Sequence, residues 1–249
     1  MLTSARLTSS ASPLALLRPG TEAAGTERRL ALLRLNLGEI RQIRRRHGGT
    51  DNDVLLAVVT GALREWLAQH GQCVERVSLR ALVPVSRRGR TGQPRHGNLL
   101  SGYLCDLPVQ ESDPVTRLTR IRTTMDRNKS AGPTRGAGAI PVLAGRVPAA
   151  VHRVVTPLAR YSASRFFDAV VTNVPIPAVR LTFAGAPLRE VYPIAPLAQG
   201  HRLGIAMSSH GGAVHVGLHA DGTAGPDLDR LASGVRGALA SLSAAGPAG

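Results

Sequence analysis

Lysine is nearly missing from this 249-residue chain: of its 31 basic residues, Lys129 alone is not arginine. Acids are few as well, 16 in all, which leaves a net charge of 31 − 16 = +15. Such a charge invites an anionic partner, a nucleic acid or a membrane surface. A GC-rich coding bias that fills solvated faces with arginine gives the same composition. Aromatic residues make up only 3%, which argues against recognition by base stacking. Cys73 and Cys105 stand far apart with no paired spacing for zinc or redox chemistry, and are expected to be free, buried thiols of a reducing compartment. No apolar run approaches the roughly 18 residues that span a bilayer. Leu14 to Leu17 is too short for a signal-peptide core, so residues 1–28 are expected to be a linker or ragged N-terminus ahead of one domain, 29–245. No GxSxG elbow, Walker loop or dinucleotide fingerprint occurs. No two histidines are adjacent.

Apolar residues make up 43% of the chain, enough for a core, and Thr50 to Trp66 (TDNDVLLAVVTGALREW) is the stretch to organise it. Gly48-Gly49 breaks what precedes. Thr50 is an N-cap with Asp53 three residues on, a capping box with Asp in place of Glu. Asn52 and Asp53 put polar groups in the first turn, where free N–H groups and the helix dipole favour them. Val54 to Val59 is apolar on every face, so these turns must be buried all round. Past Gly61 one stripe remains, Ala62, Leu63, Trp66 and Leu67. A helix that starts inside the protein and surfaces at its end is central, and its polar start is a place to look for function.

Around it the pattern predicts a strand over Arg29–Leu37, a short basic helix over Gly38–His47, and strands over Val77–Val85 and Leu99–Pro108. A basic, glycine-rich loop joins the latter two. A helix follows over Pro114–Lys129 with Val115, Leu118, Ile121, Arg122 and Met125 at helical spacing. Arg146 to Tyr161 reads as helical, kinked at Pro157. Asp168–Val174 is a buried-type strand, two or three short strands run on through Ala195, and a helix over Pro226–Leu242 closes the chain. The clearest hairpin is His201–Ala220, turning on Gly211-Gly212. Helices and strands do not strictly alternate. The fold class is therefore α/β in the α+β sense: a mixed, largely antiparallel sheet with helices on one side.

Four of the eight histidines lie near that hairpin, His201, His210, His215 and His219, but strand geometry argues against a metal. His215 and His219 share a face yet stand about 13 Å apart, too far for one zinc. Pairing across the turn sets Ile205, Met207 and Ser209 on one face with Val214, Val216 and Leu218, a core face. Gly204, Ala206, Ser208, His215, Gly217 and His219 form the other, small and polar, suited to solvent or to the wall of a channel. Arg146, Arg153 and Arg160 recur every seven residues, on one side of a helix. That is an ordinary solvated face first and a candidate membrane contact second.

The segments TDNDVLLAVVTGALREWL, SLRALVPVSRR, GNLLSGYLCDLPV, DPVTRLTRIRTTM, VVTNVPIP, VYPIAPLAQGHRLGIAMSSHGGAVHVGLHAD and PDLDRL come in the order of the bacterial wax ester synthase/diacylglycerol acyltransferase family. From about residue 30 onward the chain resembles that family's C-terminal half. The resemblance implies half of a chloramphenicol acetyltransferase/condensation-domain fold, with an active site in a tunnel between two α/β halves. It implies acyl transfer from acyl-CoA, a co-substrate rather than a bound cofactor, to diacylglycerol or a fatty alcohol. The family's general base is the second histidine of an HHxxxDG motif in the N-terminal half, and this chain has no such motif. The family's Asn-Asp pair falls on Asn52-Asp53, its Gly-Asn pair on Gly97-Asn98, and its Asn-Val-Pro-Gly-Pro turn on Asn173 to Pro177, with Ile176 in the glycine position. Tunnel- or substrate-lining candidates are then Gly97, Asn98, Asn173, Gln199, Gly200, Ser208 and His215, with Asn52 and Asp53 in support.

The implied partners are an N-terminal half in cis or trans and an anionic membrane or lipid-droplet surface. The implied location is cytoplasmic, peripheral on the inner membrane or droplets. Without the base, loss of proton removal alone costs about 10²–10⁴-fold in rate, so the chain by itself is expected to be inactive. A non-catalytic lipid- or CoA-binding domain, a partner-binding domain and a basic nucleic-acid binder are the alternatives.

Overall fold

The structure, a computed structural model, describes residues 17, 27–86, 100–131, 139–141, 167–174, 176, 182–197, 201–222 and 227–246. Its elements are β1 (Arg28–Asn36), α1 (Leu37–His47), α2 (Asp51–Gln69), β2 (Leu79–Ser86), β3 (Leu100–Leu107), α3 (Pro114–Ala131) and β4 (Ala139–Pro141). There follow β5 (Ala169–Asn173), β6 (Thr182–Phe183), β7 (Ala186–Pro187), β8 (Leu203–His210), β9 (Ala213–Asp221) and α4 (Leu228–Ala244). Seven strands form one sheet in the order β1-β9-β8-β5-β2-β3-β4, while β6 and β7 pair in a separate ribbon. Only β5 pairs parallel, with β8 and β2; the other ladders are antiparallel. This is the mixed, largely antiparallel sheet the sequence predicts.

Among the described residues, four helices share one hydrophobic core with one face of that sheet. Helix α2 packs against α1, α3 and α4, which is why its residues Asp53 to Leu63 are buried without interruption. It surfaces only at its end, where Glu65 and Gln69 are exposed. Small residues set the α2–α4 separation. A Cβ on Gly234 would lie 3.4 Å from the Ala62 Cα, and one on Gly61 would lie 2.9 Å from the Ala238 Cβ. On α3, Leu118, Ile121 and Met125 face the core, as the helical spacing predicts. Arg117 of α3 is also buried; it donates to the carbonyls of Glu111 and Ser112. Arg64 of α2 donates to the Val109 carbonyl at 2.7 Å. Between them these two arginines fix the β3–α3 connection.

The hairpin forms in the predicted register, with Ile205 opposite Leu218, Met207 opposite Val216 and Ser208 opposite His215. Gly211 and Gly212 both take positive φ, 59° and 78°, the conformation a primed turn requires and glycine adopts without strain. Gly48 and Gly49, with φ of 77° and 87°, likewise let the chain reverse between α1 and α2.

The structure departs from expectation in two places. Cys73 is exposed rather than buried: it lies in the turn after α2, its thiol 3.5 Å from the Glu75 carboxylate. Two short strands form, β6 and β7, but residues 188–195, expected to finish the series, form no strand, and neither do 196–197. They cross the non-helical face of the β8–β9 hairpin as an extended strap. Ahead of β1, Leu17 is buried in the core and its carbonyl accepts from the Arg202 N–H at 2.7 Å.

Candidate functional site

The start of α2 is built by its own residues. The Thr50 N–H donates to Asp53 Oδ2 at 2.8 Å, the Thr50 hydroxyl donates to the same oxygen at 2.7 Å, and the Asp53 N–H returns a bond to Thr50 Oγ1 at 3.2 Å. The Asp-for-Glu capping box therefore forms in full. Asp53 is 1% exposed. Its other oxygen, Oδ1, is buried with no hydrogen-bond partner among the described residues. Asn52 is half-buried. Asp51 carries an ion pair from Arg44 at 2.9 Å. Arg122 of α3 donates to the His47 carbonyl, and its side chain fills the space that Cβ atoms on Gly48 and Gly49 would need. Burial pushes the Cys105 thiol of β3 up to about 12, with Asp106 and Asp53 adding negative charge beside it.

Arg64 reaches Val109, just past the end of β3, so α2 runs toward that end of the sheet. At the opposite end Leu100 pairs with Ser86, closing β2, and β5, parallel to β2, ends on Asn173. Gly97, Asn98, Gln199, Gly200, Arg146, Arg153 and Arg160 lie outside the described residues.

Ser208 and His215 lie across the sheet from α2, on the non-helical face and under the strap. They sit side by side, but not as a nucleophile and its base. The Ser208 hydroxyl donates to the Val191 carbonyl at 3.1 Å. Both ring nitrogens of His215 are buried without a hydrogen-bond partner among the described residues, and its ring meets that of Tyr192 edge-on, centroids 4.9 Å apart. Burial holds the His215 pKa below its usual 6.5; Glu190 opposes the shift and Arg34 and His210 add to it. The strap is pinned along its length. His210 contacts the Leu188 carbonyl at 3.1 Å and His219 the Ala195 carbonyl at 2.7 Å, while a Cβ on Gly217 would fall on the Pro193 carbonyl. The alternation of small and polar residues on this face is thus a bed for the chain's own backbone. Sequence reasoning placed Arg122 in the helical stripe of α3 without its reach to the His47 carbonyl, and it passed over the strap carbonyls, which nothing periodic marks.

A separate groove of about 370 Å³ lies at the far end of β2 and β3, lined by Ser78, Asp106, Gln110, Thr119, Arg120 and Arg127 among others. None of the anticipated residues that the structure describes lines it.

Residues 96–243 match the family model described as the WS/DGAT C-terminal domain. The chain belongs to that family. Over 215 residues it is 32% identical to the probable diacyglycerol O-acyltransferase tgs1 of Mycobacterium tuberculosis H37Rv, a match covering 86% of this chain and 46% of the relative. Over 227 residues it is 31% identical to tgs2 of the same strain, covering 88% and 48%. The chain thus spans about half the length of the curated relatives it matches. Among solved structures it resembles the wax ester synthase/diacylglycerol acyltransferase from Marinobacter aquaeolei VT8 (TM-score 0.68, 22% identity, 92% of this chain and 53% of that one). It also resembles the epimerization domain from the third module of tyrocidine synthetase B (TM-score 0.57, 12% identity, 94% and 52%). At these identities the structural likeness is one of fold. Asn52 and Asp53, at the capped start of α2, lie ahead of the residues that the family model matches.

Proposed function

We propose that this chain supplies the C-terminal half of an acyl-CoA-dependent O-acyltransferase that makes triacylglycerol or wax esters. The similarity of 86% of its length to diacylglycerol O-acyltransferases carries the reading. In the reaction the acceptor's hydroxyl oxygen attacks the thioester carbonyl, the C–S bond breaks, and CoA leaves as the thiol. The hydroxyl proton needs a base. Asp53 is committed to Thr50, Ser208 to Val191, and His215 is covered by the strap. By resemblance to its family, the base is the second histidine of an HHxxxDG segment in an N-terminal half, working in cis or in trans. The α2 start acts as a rigid support, with Asn52 nearer the substrates and Asp53 holding the turn. Acyl-CoA and diacylglycerol or a fatty alcohol are the substrates; no bound cofactor is needed. No described helix is long and apolar enough to cross a membrane, and we place the chain peripherally, on the cytoplasmic side of the inner membrane or on lipid droplets.

The test is to assay the 249-residue chain alone, and then fused to or mixed with an HHxxxDG-bearing N-terminal half, using labelled acyl-CoA with diacylglycerol or a fatty alcohol. The chain alone should give no product. The reconstituted pair should turn over, more slowly with Asn52→Ala. Activity of the chain alone that is lost on changing His215 or His96 would overturn the proposal. A second reading, a lipid- or CoA-binding domain without catalysis, draws support from Ile176, which stands in the glycine position of the family turn. It predicts acyl-CoA binding but no turnover even with the partner half.

A further inference from the structure

The strap over the β8–β9 hairpin is fastened by side chains rather than by a backbone ladder. Residues 188–197 form no strand, and the hairpin holds them from below. His210 bonds the Leu188 carbonyl, Ser208 the Val191 carbonyl and His219 the Ala195 carbonyl. The strap lies flush because two floor positions carry no side chain. A Cβ on Gly204 would stand 3.2 Å from the Ala195 carbonyl oxygen, and one on Gly217 would overlap the Pro193 oxygen.

His215 is the exception in this floor. Its ring is 1% exposed, and neither nitrogen has a hydrogen-bond partner among the described residues. Charged and titratable neighbours reach it from each element packed against it. On β1 its register partner is Arg34; on β8 its partner is Ser208, with His210 two residues further along the same face. From the strap, Tyr192 meets the ring edge-on. The Tyr192 hydroxyl donates to Glu190 at 3.1 Å, and Glu190 lies 3.6 Å from Arg34. A neutral imidazole sits here at the cost of unmade hydrogen bonds. An imidazolium would be a buried charge with no acceptor, which costs far more. Arg34 and His210 add like charge to that cost, and only the half-exposed Glu190 opposes it. His210 and His219 differ, because a ring that donates to a carbonyl keeps that bond in either protonation state. Acid therefore loosens the strap at His215.

We infer that the strap is a lid over the β8–β9 floor and that protonation of His215 opens it. The ring takes its proton when it reaches water, so lifting of residues 188–197 and proton uptake are one linked event. Burial lowers the His215 pKa from its usual 6.5, which fixes the sign. The lid is fully held above about 6.5, and its opening constant rises by up to about tenfold per pH unit below that, until pH passes the lowered value of the closed form. Lifting uncovers Gly204, Ala206, Ser208 and Gly217, a floor that already accommodates one extended chain. Nothing in this opening depends on acyl transfer, so it stands or falls apart from the acyltransferase reading.

The test is a pH titration of the full chain by NMR. The His215 ring should titrate with a midpoint below 6.5, and the Tyr192–His215 ring contact should vanish with the same midpoint. The contact between Ile205 and Leu218, register partners on the core face of the same hairpin, should persist through that pH. In His215→Phe the contact between residues 192 and 215 should survive to lower pH than in the wild type. Arg34→Gln, at an exposed position, removes a like charge and should move both midpoints upward at low salt. A charged His215 ring still against Tyr192 would overturn the lid, as would a ring that titrates at or above 6.5. Loss of the Ile205–Leu218 contact at the same pH would overturn it too, since the strap would then move only with the whole fold. A strap that opens in His215→Phe at the wild-type pH would place the trigger on another group.

Discussion

Asp53 closes the capping box that starts α2, and its carboxylate takes both the Thr50 N–H and the Thr50 hydroxyl. Asp53→Ala releases both and should cost about 0.5–2 kcal/mol, as cap losses do. Asn52→Ala should leave stability nearly unchanged, since Asn52 is half-buried and makes no cap bond. Urea unfolding of the two variants checks this. If Asn52→Ala destabilised the chain as much as Asp53→Ala, Asn52 would be a structural residue rather than one presented to a ligand. His215 carries a pH dependence whose sign follows from its burial. Its folded pKa lies below 6.5, so above about 6.5 the ring is neutral in both states and adds no slope. As pH falls below that value the unfolded chain binds the proton first, and stability declines. The decline ends once pH is beneath the lowered folded value. His215→Phe keeps an aromatic ring against Tyr192 and should remove this part of the slope. An identical pH profile in the variant would assign the slope to other groups.

The α2–α4 contact decides a case where two effects oppose. Gly61→Ala should favour the helix by about 0.5–1 kcal/mol through backbone entropy. Yet the new methyl group would meet the Ala238 Cβ at 2.9 Å and an Arg117 guanidinium nitrogen at 2.5 Å. That guanidinium cannot swing aside freely, because it holds the Glu111 and Ser112 carbonyls. Overpacking of this kind costs about 1–3 kcal/mol, so Gly61→Ala should destabilise on balance. Thermal melts of Gly61→Ala and of the pair Gly61→Ala/Ala238→Gly measure it, the second recovering part of the loss. What the sequence made legible at this scale was local. The capping box, the glycine turn and the register of β8 on β9 each rest on residues a few positions apart whose chemistry admits one geometry. The strap was not legible, because it is held by side chains reaching carbonyls about 15 to 25 residues away, such as His219 to Ala195, and leaves no periodic trace. Nor was the exposure of Cys73, since a lone apolar thiol in a turn has no pattern around it. Of the polar start of α2, the capping box of Thr50 and Asp53 was legible. Ser208 and His215 lay correctly on one face, but that face carries the chain's own backbone.

At the scale of the whole molecule, 31 basic residues face 16 acids, so even complete pairing would leave fifteen positive charges over. The ion pairs between described residues are partly exposed, such as Arg80–Asp106 and Arg120–Glu111, and pairs of that kind contribute about 0–1 kcal/mol each. Salt acts on both terms, weakening the pairs and screening the surplus repulsion as the Debye length falls from about 30 Å at 0.01 M to about 8 Å at 0.15 M. Because the surplus of 15 is nearly as large as the whole set of 16 acids, relief of repulsion should win. The melting temperature of the full chain should rise with sodium chloride over this range. Partitioning onto anionic vesicles should fall over the same range, because the same screening removes the attraction between arginines and lipid phosphates. Opposite slopes in the two titrations separate a charge that burdens the fold from one that serves a surface. A melting temperature that fell with salt would mean instead that ion pairs outweigh repulsion, and that the arginine surplus is already neutralised within the fold.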